Sequence, residues 1–252
     1  MVLTERKNGQ AYRKHHSGPA PTGILAPPCC RTPALIDHRT RFLDLALAAD
    51  ALRFGQFTLK SGRVSPYFFN AGRFDSGALM AGLARCYVDA IEAAGLDFDQ
   101  LFGPAYKGIP LATAIACEYA HRDRDLPLTF NRKEAKDHGE GGTLIGAGLE
   151  GKRVLIVDDV ITAGTAIREA LAIIRGAGGI AAGIVVALDR QEIASDNDHR
   201  SAAQAVAEEA AIPVVAVAGL GDLLAFAGGK PELVDHRQPL LDYRNRYGCR
   251  ND

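Results

Sequence analysis

The pattern of apolar and polar positions divides the chain near residue 40. Residues 1–41 carry seven lysines and arginines against Glu5 and Asp37, together with five prolines. Such a stretch cannot readily bury a core, so residues 1–39 are predicted to be a disordered, basic and proline-rich extension. The domain that follows is predicted to span residues 40–252. It begins with a helix, because apolar side chains from Phe42 onward recur at spacings of three and four residues, and this helix is predicted to end near Gly55.

Beyond this helix, apolar runs of strand length alternate with segments of helical periodicity. Two short strands at 57–59 and 67–69, joined by a turn with Gly62 and Pro66, precede a helix at 77–94 that Gly95 ends. Further strands are predicted at 101–102, 128–130, 154–157, 180–188 and 214–217. Further helices are predicted at 109–119, at 165–175, in a polar stretch ending near Ala210, and at 222–226. This alternation predicts an α/β fold with a doubly wound, mostly parallel sheet.

The candidate chemistry lies where the strand 154–157 ends. Asp158 and Asp159 follow this strand directly, and open α/β sheets bind their ligands at the carboxyl ends of their strands. The small residues 162–165 then open a helix, which favours a phosphate among backbone N–H groups. Carboxylates repel a phosphate but accept hydrogen bonds from hydroxyls, so both halves together fit a ribose 5-phosphate. The alternative is an ordinary buried strand followed by a capped helix.

Several segments together resemble the orotate phosphoribosyltransferases, a branch of the type I phosphoribosyltransferases. Residues 154–166 look like that family's binding signature for 5-phosphoribosyl 1-pyrophosphate (PRPP), and the other similar segments are 57–63, 65–70, 102–108, 131–142 and 188–192. The likeness runs over about residues 40–247, with a departure at Val64, where many relatives carry lysine. It implies the type I phosphoribosyltransferase fold. A small hood from about 55–72 and the C-terminal segment would sit above a PRPP-binding core of about 75–220.

The resemblance implies a Mg²⁺-dependent glycosyltransferase, specifically a pentosyltransferase. It would transfer the ribose 5-phosphate of PRPP to orotate, giving orotidine 5'-monophosphate and pyrophosphate in de novo pyrimidine (UMP) biosynthesis. The magnesium ion would be held mainly by PRPP and water, with no direct protein ligand. The partner would be a second copy of the chain, in a homodimer whose lid loop, 131–142, is shared across the interface.

The same resemblance assigns the site residues. Those expected to bind PRPP are Lys60, Tyr106, Lys107, Arg132, Lys133, Lys136, His138, Asp158, Asp159, Val160, Ile161, Thr162, Ala163, Gly164, Thr165 and Ala166. Those expected to bind orotate are Lys60, Phe68, Phe69, Thr162 and Arg190. Catalysis is expected from Lys107, Lys136, His138, Asp158 and Asp159, with the carboxylates stabilising an oxocarbenium-like ribose and the cations neutralising pyrophosphate. The structural alternatives are a solvated charged loop at 131–142 and burial of both phenylalanines in the hood core.

Composition narrows the class of protein further. The 252 residues are 47% hydrophobic and 23% charged, with a net charge of −1, which suggests no nucleic-acid-binding surface. No apolar run approaches the ~18 residues of a membrane span, so no membrane association is expected. Five cysteines without paired spacing argue against a disulfide framework or a zinc site and favour a cytoplasmic location. Of these, Cys86 and Cys117 are predicted to be core residues.

The sequence also allows two rival functions and contains one misleading motif. A phosphoribosyltransferase for a purine or uracil would share residues 154–166 but should lack the Lys60, Phe68–Phe69 and 133–138 set. A non-catalytic PRPP sensor that binds nucleic acid predicts loss of the basic lid residues and a basic surface face, and this sequence shows neither. The G-x-G-x-x-G pattern at 146–151 precedes a strand instead of following one, so it is not a dinucleotide site. An organellar transit peptide is the alternative for the basic N-terminal stretch.

Overall fold

The computed structural model describes residues 37–59, 61–136, 142–162, 164–195 and 198–249. The helices are α1 (His38–Ala48), α2 (Gly77–Ala93), α3 (Gly108–His121), α4 (Thr165–Gly176), α5 (Ala202–Ala210), α6 (Leu220–Gly229) and α7 (Val234–Tyr247). The strands are β1 (Leu52–Thr58), β2 (Val64–Phe69), β3 (Gln100–Gly103), β4 (Leu128–Lys136), β5 (Gly142–Gly146), β6 (Arg153–Asp158), β7 (Ile180–Asp189), β8 (Ile193–Ser195), β9 (Asp198–Ser201) and β10 (Val214–Gly219).

A six-stranded sheet with the order β10-β7-β6-β3-β4-β5 forms the centre of the domain. Its first five strands pair in parallel, and β5 adds to β4 antiparallel at the edge. Helices cover both faces, so the expected doubly wound, mostly parallel α/β fold is confirmed.

The side chains of β6 and β7 show how the two faces are divided. Leu155 and Val157 pack with α2 and α3 on one face, whereas Val154 and Ile156 pack with α4 on the other. These strands are buried on both sides, which explains their unbroken run of aliphatic residues. The polar residues that end β6 and β7 therefore meet at one edge of the sheet.

Beside this sheet, β1 and β2 form an antiparallel hairpin, and α7 packs against it. The ring of Tyr67 on β2 meets Tyr243 of α7 edge-on, with 6.4 Å between ring centroids. Both side chains are buried. The hairpin and the last helix are the segments that the resemblance assigns to the hood.

Two expectations about the early elements were wrong. The first helix ends at Ala48, not near Gly55, because Asp50 has a left-handed φ of 54° that no α-helix continues. Gly55 lies within β1, where the register with β2 shifts. Pro66 lies inside β2 instead of the turn. The hairpin has only two strands, so a residue without an N–H group is tolerated on its free edge.

The extension of one predicted strand and several further elements were not predicted. β4 continues through Lys136 and pairs with β5, so part of the segment expected to be a strand-poor lid loop is a β-hairpin. A small hairpin of β8 and β9 precedes α5. α7 has few apolar residues and contains Pro239, which hid it from periodicity analysis.

The prediction for Cys86 is confirmed, because this residue is buried on α2. The prediction for Cys117 is wrong. Ile115 and Tyr119 turn the inner face of α3 to the core, which leaves Cys117 exposed on the opposite face.

Among the described residues, no helix combines the length and apolar character needed to cross a bilayer.

Candidate active site

Two adjacent carboxylates mark the carboxyl end of β6. Asp158 and Asp159 are only 9% and 6% exposed. The Asp159 N–H group donates to Asp158 Oδ1 at 2.9 Å, and the Tyr87 hydroxyl donates to the Asp158 carbonyl at 2.8 Å. The Ala187 N–H group donates to the Asp159 carbonyl at 2.9 Å. The backbone of this strand end is thus fixed from α2 and β7, which leaves the two carboxyl groups for chemistry.

The two carboxyl groups have different surroundings. Burial raises the pKa of Asp158 to about 6, and the charge of Asp159 contributes to this rise. The hydrogen bond from the Asp159 backbone and the charge of Lys107 oppose it. Asp158 therefore takes up a proton at a pH where an ordinary aspartate stays ionised.

Lys107 connects the β3–α3 loop to this pair. Its Nζ atom lies 2.5 Å from Asp159 Oδ2, while 56% of the lysine side chain remains exposed. The next residue must be glycine for this approach, because a Cβ on Gly108 would lie 2.6 Å from the Val157 carbonyl oxygen. The close contact between α3 and β6 thereby brings the lysine to the carboxylates.

The segment after Asp159 forms a turn and then begins α4. Gly164 is the N-cap residue, with a left-handed φ of 72°, and a Cβ there would lie 2.8 Å from Val206. Thr162 and Thr165 are exposed beside it. Free backbone N–H groups and the positive end of the helix dipole make this turn suitable for a phosphate. Of the expected phosphate-loop residues, Ala163 lies outside the described ones.

Part of the expected basic lid lies beside the β3–α3 loop. Lys133 Nζ is 5.0 Å from the centre of the Tyr106 ring, which is itself exposed. Asn131 accepts a hydrogen bond from the Ala105 N–H group at 2.9 Å. These contacts tie β4 to the loop that carries Lys107.

Arg132 also belongs to β4, and its Nη1 atom is buried without a hydrogen-bond partner among the described residues. The side chain of Lys136 is outside the described part of the chain, and so are Lys60 and His138 entirely.

The residues expected to hold orotate fall into two environments. The Phe68 ring lies 5.5 Å from Phe57, on the outer side of the hairpin. The Phe69 ring packs against Phe42 and Phe74, at 5.9 and 6.4 Å, as part of the core. Burial in the core thus accounts for the contacts of Phe69 in this structure.

Arg190 follows β7 on the same edge of the sheet as Asp158. Its guanidinium group lies over the Tyr67 ring, 4.4 Å from the ring centre, and pairs with Glu192 at 2.6 Å. The charge of Glu192 and the neighbouring Tyr67 help keep the pKa of Arg190 raised despite its burial.

Sequence reasoning gave no role to Glu192, although it lies in the motif 188–192. The signal that could have pointed to Glu192 is its carboxylate, two residues after Arg190 in the sequence.

A cavity of about 600 Å³ lies elsewhere, between β2 and α7. Its lining includes Arg63, Tyr243 and Tyr247 but none of the expected substrate-binding residues. The candidate active site is therefore defined by the carboxylates, the phosphate turn and the cations around them.

Comparisons with known proteins agree with this geometry. Residues 74–208 match the family model described as "Phosphoribosyl transferase domain". The orotate phosphoribosyltransferase of Xanthomonas euvesicatoria pv. vesicatoria is 80% identical over 214 residues, which are 85% of this chain and 98% of that protein.

Solved structures give the same answer. The orotate phosphoribosyltransferase of Francisella tularensis is 41% identical, with a TM-score of 0.73 over 82% of this chain and 98% of that one. The enzyme of Mycobacterium tuberculosis H37Rv in complex with PRPP is 25% identical, with a TM-score of 0.55 over 73% and 98% of the two chains. The chain therefore belongs to the orotate phosphoribosyltransferase family.

Proposed function

We propose that this chain transfers the ribose 5-phosphate of PRPP to orotate, giving orotidine 5'-monophosphate and pyrophosphate in UMP synthesis. The observation that carries the proposal is the pair of buried carboxylates followed without interruption by the turn that begins α4. The 80% identity to a curated orotate phosphoribosyltransferase supports the choice of orotate over other bases.

The phosphoribosyl group would bind along residues 158–166. The 5-phosphate would accept hydrogen bonds from backbone N–H groups at the start of α4, while Asp158 and Asp159 accept hydrogen bonds from the ribose hydroxyls. A ring nitrogen of orotate displaces pyrophosphate from C1 of the ribose, with inversion. The two carboxylates stabilise the positive charge that develops on the ribose in this step.

The leaving pyrophosphate carries away most of the negative charge, so it needs cations. Lys107, Arg132, Lys133 and Lys136 are the proposed set, with His138 as a proton donor. Lys107 is bound to Asp159 in this structure, so its partner would change from carboxylate to pyrophosphate on substrate binding. For orotate, Arg190 and Lys60 would supply positive charge, with Thr162 and the Phe68–Phe69 pair at the ring.

A magnesium ion fits the residues that the chain offers. The site offers the two carboxylates of Asp158 and Asp159, and no group of three or more histidine, cysteine, aspartate and glutamate side chains that could hold a metal ion is found among the described residues. Such a site suits an ion held mainly by substrate oxygens and water. When bound, the ion would neutralise charge on the pyrophosphate.

The proposed assembly is a cytoplasmic homodimer in which the lid of one subunit serves the site of the other. The test mixes a Lys136→Ala protein with a protein carrying Asp158→Asn and Asp159→Asn, each inactive alone. Mixed dimers would contain one intact site, so activity should recover to about a quarter of the wild-type level, as random pairing dictates. No recovery, with subunit exchange verified by differently tagged chains, would contradict a lid acting in trans.

The reaction itself is tested by the loss of orotate absorbance with the protein, PRPP and Mg²⁺. Hypoxanthine and uracil serve as parallel substrates. We expect consumption of orotate alone. Turnover of another base would change the assignment of the substrate. Binding of PRPP without turnover of any base would instead support a non-catalytic PRPP sensor.

A further inference from the structure

Glu192 lies between two arginines where β7 meets the hood. Its side chain is 13% exposed, and its two carboxylate oxygens face different partners. Oε1 pairs with Arg190 at 2.6 Å, and Oε2 lies 3.6 Å from Arg63 Nη1. This partly buried carboxylate belongs to a charge network, in which removal of one member leaves the others unbalanced.

The contacts of Arg190 define the orientation of its guanidinium group. Its Nε and Nη2 atoms donate to Glu192, at 2.7 and 2.6 Å, and Nη2 also donates to Ser65 Oγ at 3.1 Å. The Tyr67 ring lies against one face of the group. Glu192 and Ser65 thus hold the Nε and Nη2 atoms of the guanidinium, and the buried side chain of Tyr243 lies close to the same group. Neither Glu192 nor Ser65 contacts Nη1.

Arg63 anchors the other side of Glu192. It donates to the Ile193 carbonyl at 3.0 Å, and its guanidinium carbon lies 4.9 Å from the centre of the Tyr247 ring. Glu192 itself forms an isolated β-bridge with Gly248, just after α7. The carboxylate therefore connects the hairpin, the end of β7 and the C-terminal segment.

We propose that Glu192 is a positioning residue for orotate. It holds the Nε edge of Arg190, so that the remaining end of the guanidinium is fixed toward the substrate carboxylate. The charge of the guanidinium would then pair with the carboxylate of orotate. The inference rests on the proposed role of Arg190 in orotate binding.

A purely structural role for Glu192 makes a different prediction. If Glu192 only connects the hood to the sheet, its loss would lower the stability of the fold and weaken the binding of both substrates. A positioning role acts through Arg190 alone, so it changes the interaction with orotate and leaves that with PRPP as it was.

The test variant is Glu192→Gln, which keeps the size of the side chain and removes its charge. We expect KM for orotate to rise about tenfold, the effect of weakening one charge-assisted hydrogen bond, with KM for PRPP and kcat changed less than about twofold. The matched control is Glu118→Gln. Glu118 has 15% side-chain exposure and pairs with Arg122 at 3.0 Å on α3, so it loses a similar ion pair without a change in KM for orotate.

A double-mutant cycle with Arg190→Gln decides between the two roles. If Glu192 acts through Arg190, Glu192→Gln adds no further increase in KM for orotate to the Arg190→Gln protein. The proposal would be overturned if the increases in KM for orotate caused by Glu192→Gln and Arg190→Gln multiply in the double variant. It would also be overturned if Glu192→Gln raises KM equally for both substrates. If Glu192→Gln alone fails to fold, its effect is read in the double variant, where no unpaired arginine remains at position 190. A wild-type protein that does not turn over orotate would instead contradict the proposed function.

Discussion

The two halves of the candidate site are built in different ways. The phosphoribosyl half is a single continuous segment, 158–166, in which backbone conformation and two buried carboxylates supply the chemistry. The half around Arg190 is assembled from side chains of the hairpin, the end of β7 and the C-terminal segment. Local backbone geometry controls the first half, whereas ion pairs between distant segments control the second.

This difference predicts separable effects of substitution. A change in the continuous segment should impair the use of PRPP and the chemical step. A change around Arg190 should alter affinity for orotate while leaving PRPP binding intact.

The largest effect is expected from Asp159→Asn. This change removes one of the two charges that face the developing positive charge on the ribose, and it removes the partner of Lys107. We expect kcat to fall about 10²- to 10³-fold, measured as the initial rate of orotate consumption. The control is Asp97→Asn, an exposed aspartate paired with Arg153 away from the site, which should retain full activity. Similar rates for both variants would remove Asp159 from the mechanism.

The raised pKa of Asp158 predicts opposite effects of pH on activity and on stability. In the proposed mechanism the ionised form of Asp158 acts on the ribose, so kcat/KM for PRPP should fall about tenfold per pH unit below pH 6. The folded pKa of about 6 exceeds the ordinary aspartate value of about 3.9. Asp158 therefore contributes most to stability below pH 4, and this contribution is lost as the pH rises through 6.

The Asp158→Asn variant separates these two effects. At pH 8 its free energy of unfolding should exceed that of the wild type by about 1–3 kcal/mol, because a buried charge is removed, although its activity is lost. Chemical denaturation at pH 4 and pH 8 measures this difference. A variant that is less stable than the wild type at pH 8 would show that the ionised carboxylate stabilises the fold.

Gly164→Ala tests the backbone conformation at the start of α4. The left-handed φ of 72° and the 2.8 Å approach to Val206 oppose any side chain there. We expect about 1–2 kcal/mol of destabilisation and about a tenfold increase in KM for PRPP. Gly176→Ala, at the other end of the same helix, meets no atom within 4 Å and should leave both quantities nearly unchanged. Equal behaviour of the two variants would contradict this account of the turn.

The smallest effect is expected from Tyr87→Phe. This change leaves the Asp158 carbonyl without the hydroxyl that donates to it at 2.8 Å, at a cost of about 1–2 kcal/mol in unfolding free energy. Tyr119→Phe is the matched control, because the Tyr119 hydroxyl is buried with no partner among the described residues. It should be neutral or slightly stabilising. A smaller loss for Tyr87→Phe than for Tyr119→Phe would contradict the role of this hydrogen bond.

The continuous half of the site could be predicted from sequence for a physical reason. Its aliphatic strand, carboxylates and small-residue turn are neighbours in the chain, so their order alone indicates their arrangement. The sheet could be predicted likewise, because strands such as β6 and β7 are buried on both faces and consist of uninterrupted aliphatic residues.

The half around Arg190 was harder to predict from the sequence. Glu192 pairs with Arg63, which in turn contacts Tyr247, and both residues lie more than fifty positions away from Glu192 along the chain. α7 was missed because it buries few side chains and contains Pro239, and the extension of β4 was missed because its residues are charged. The early helix was made too long because nothing in its periodicity marks the left-handed Asp50.

The division of the site is tested most directly by saturation curves for both substrates in two variants, Gly164→Ala and Arg190→Lys. We expect a crossed pattern. KM for PRPP rises in Gly164→Ala, and KM for orotate rises in Arg190→Lys, because lysine keeps the charge but loses the planar fork of donors. In each variant the other KM should stay within about twofold of the wild-type value. An increase in both KM values in both variants would contradict the separation of the two halves.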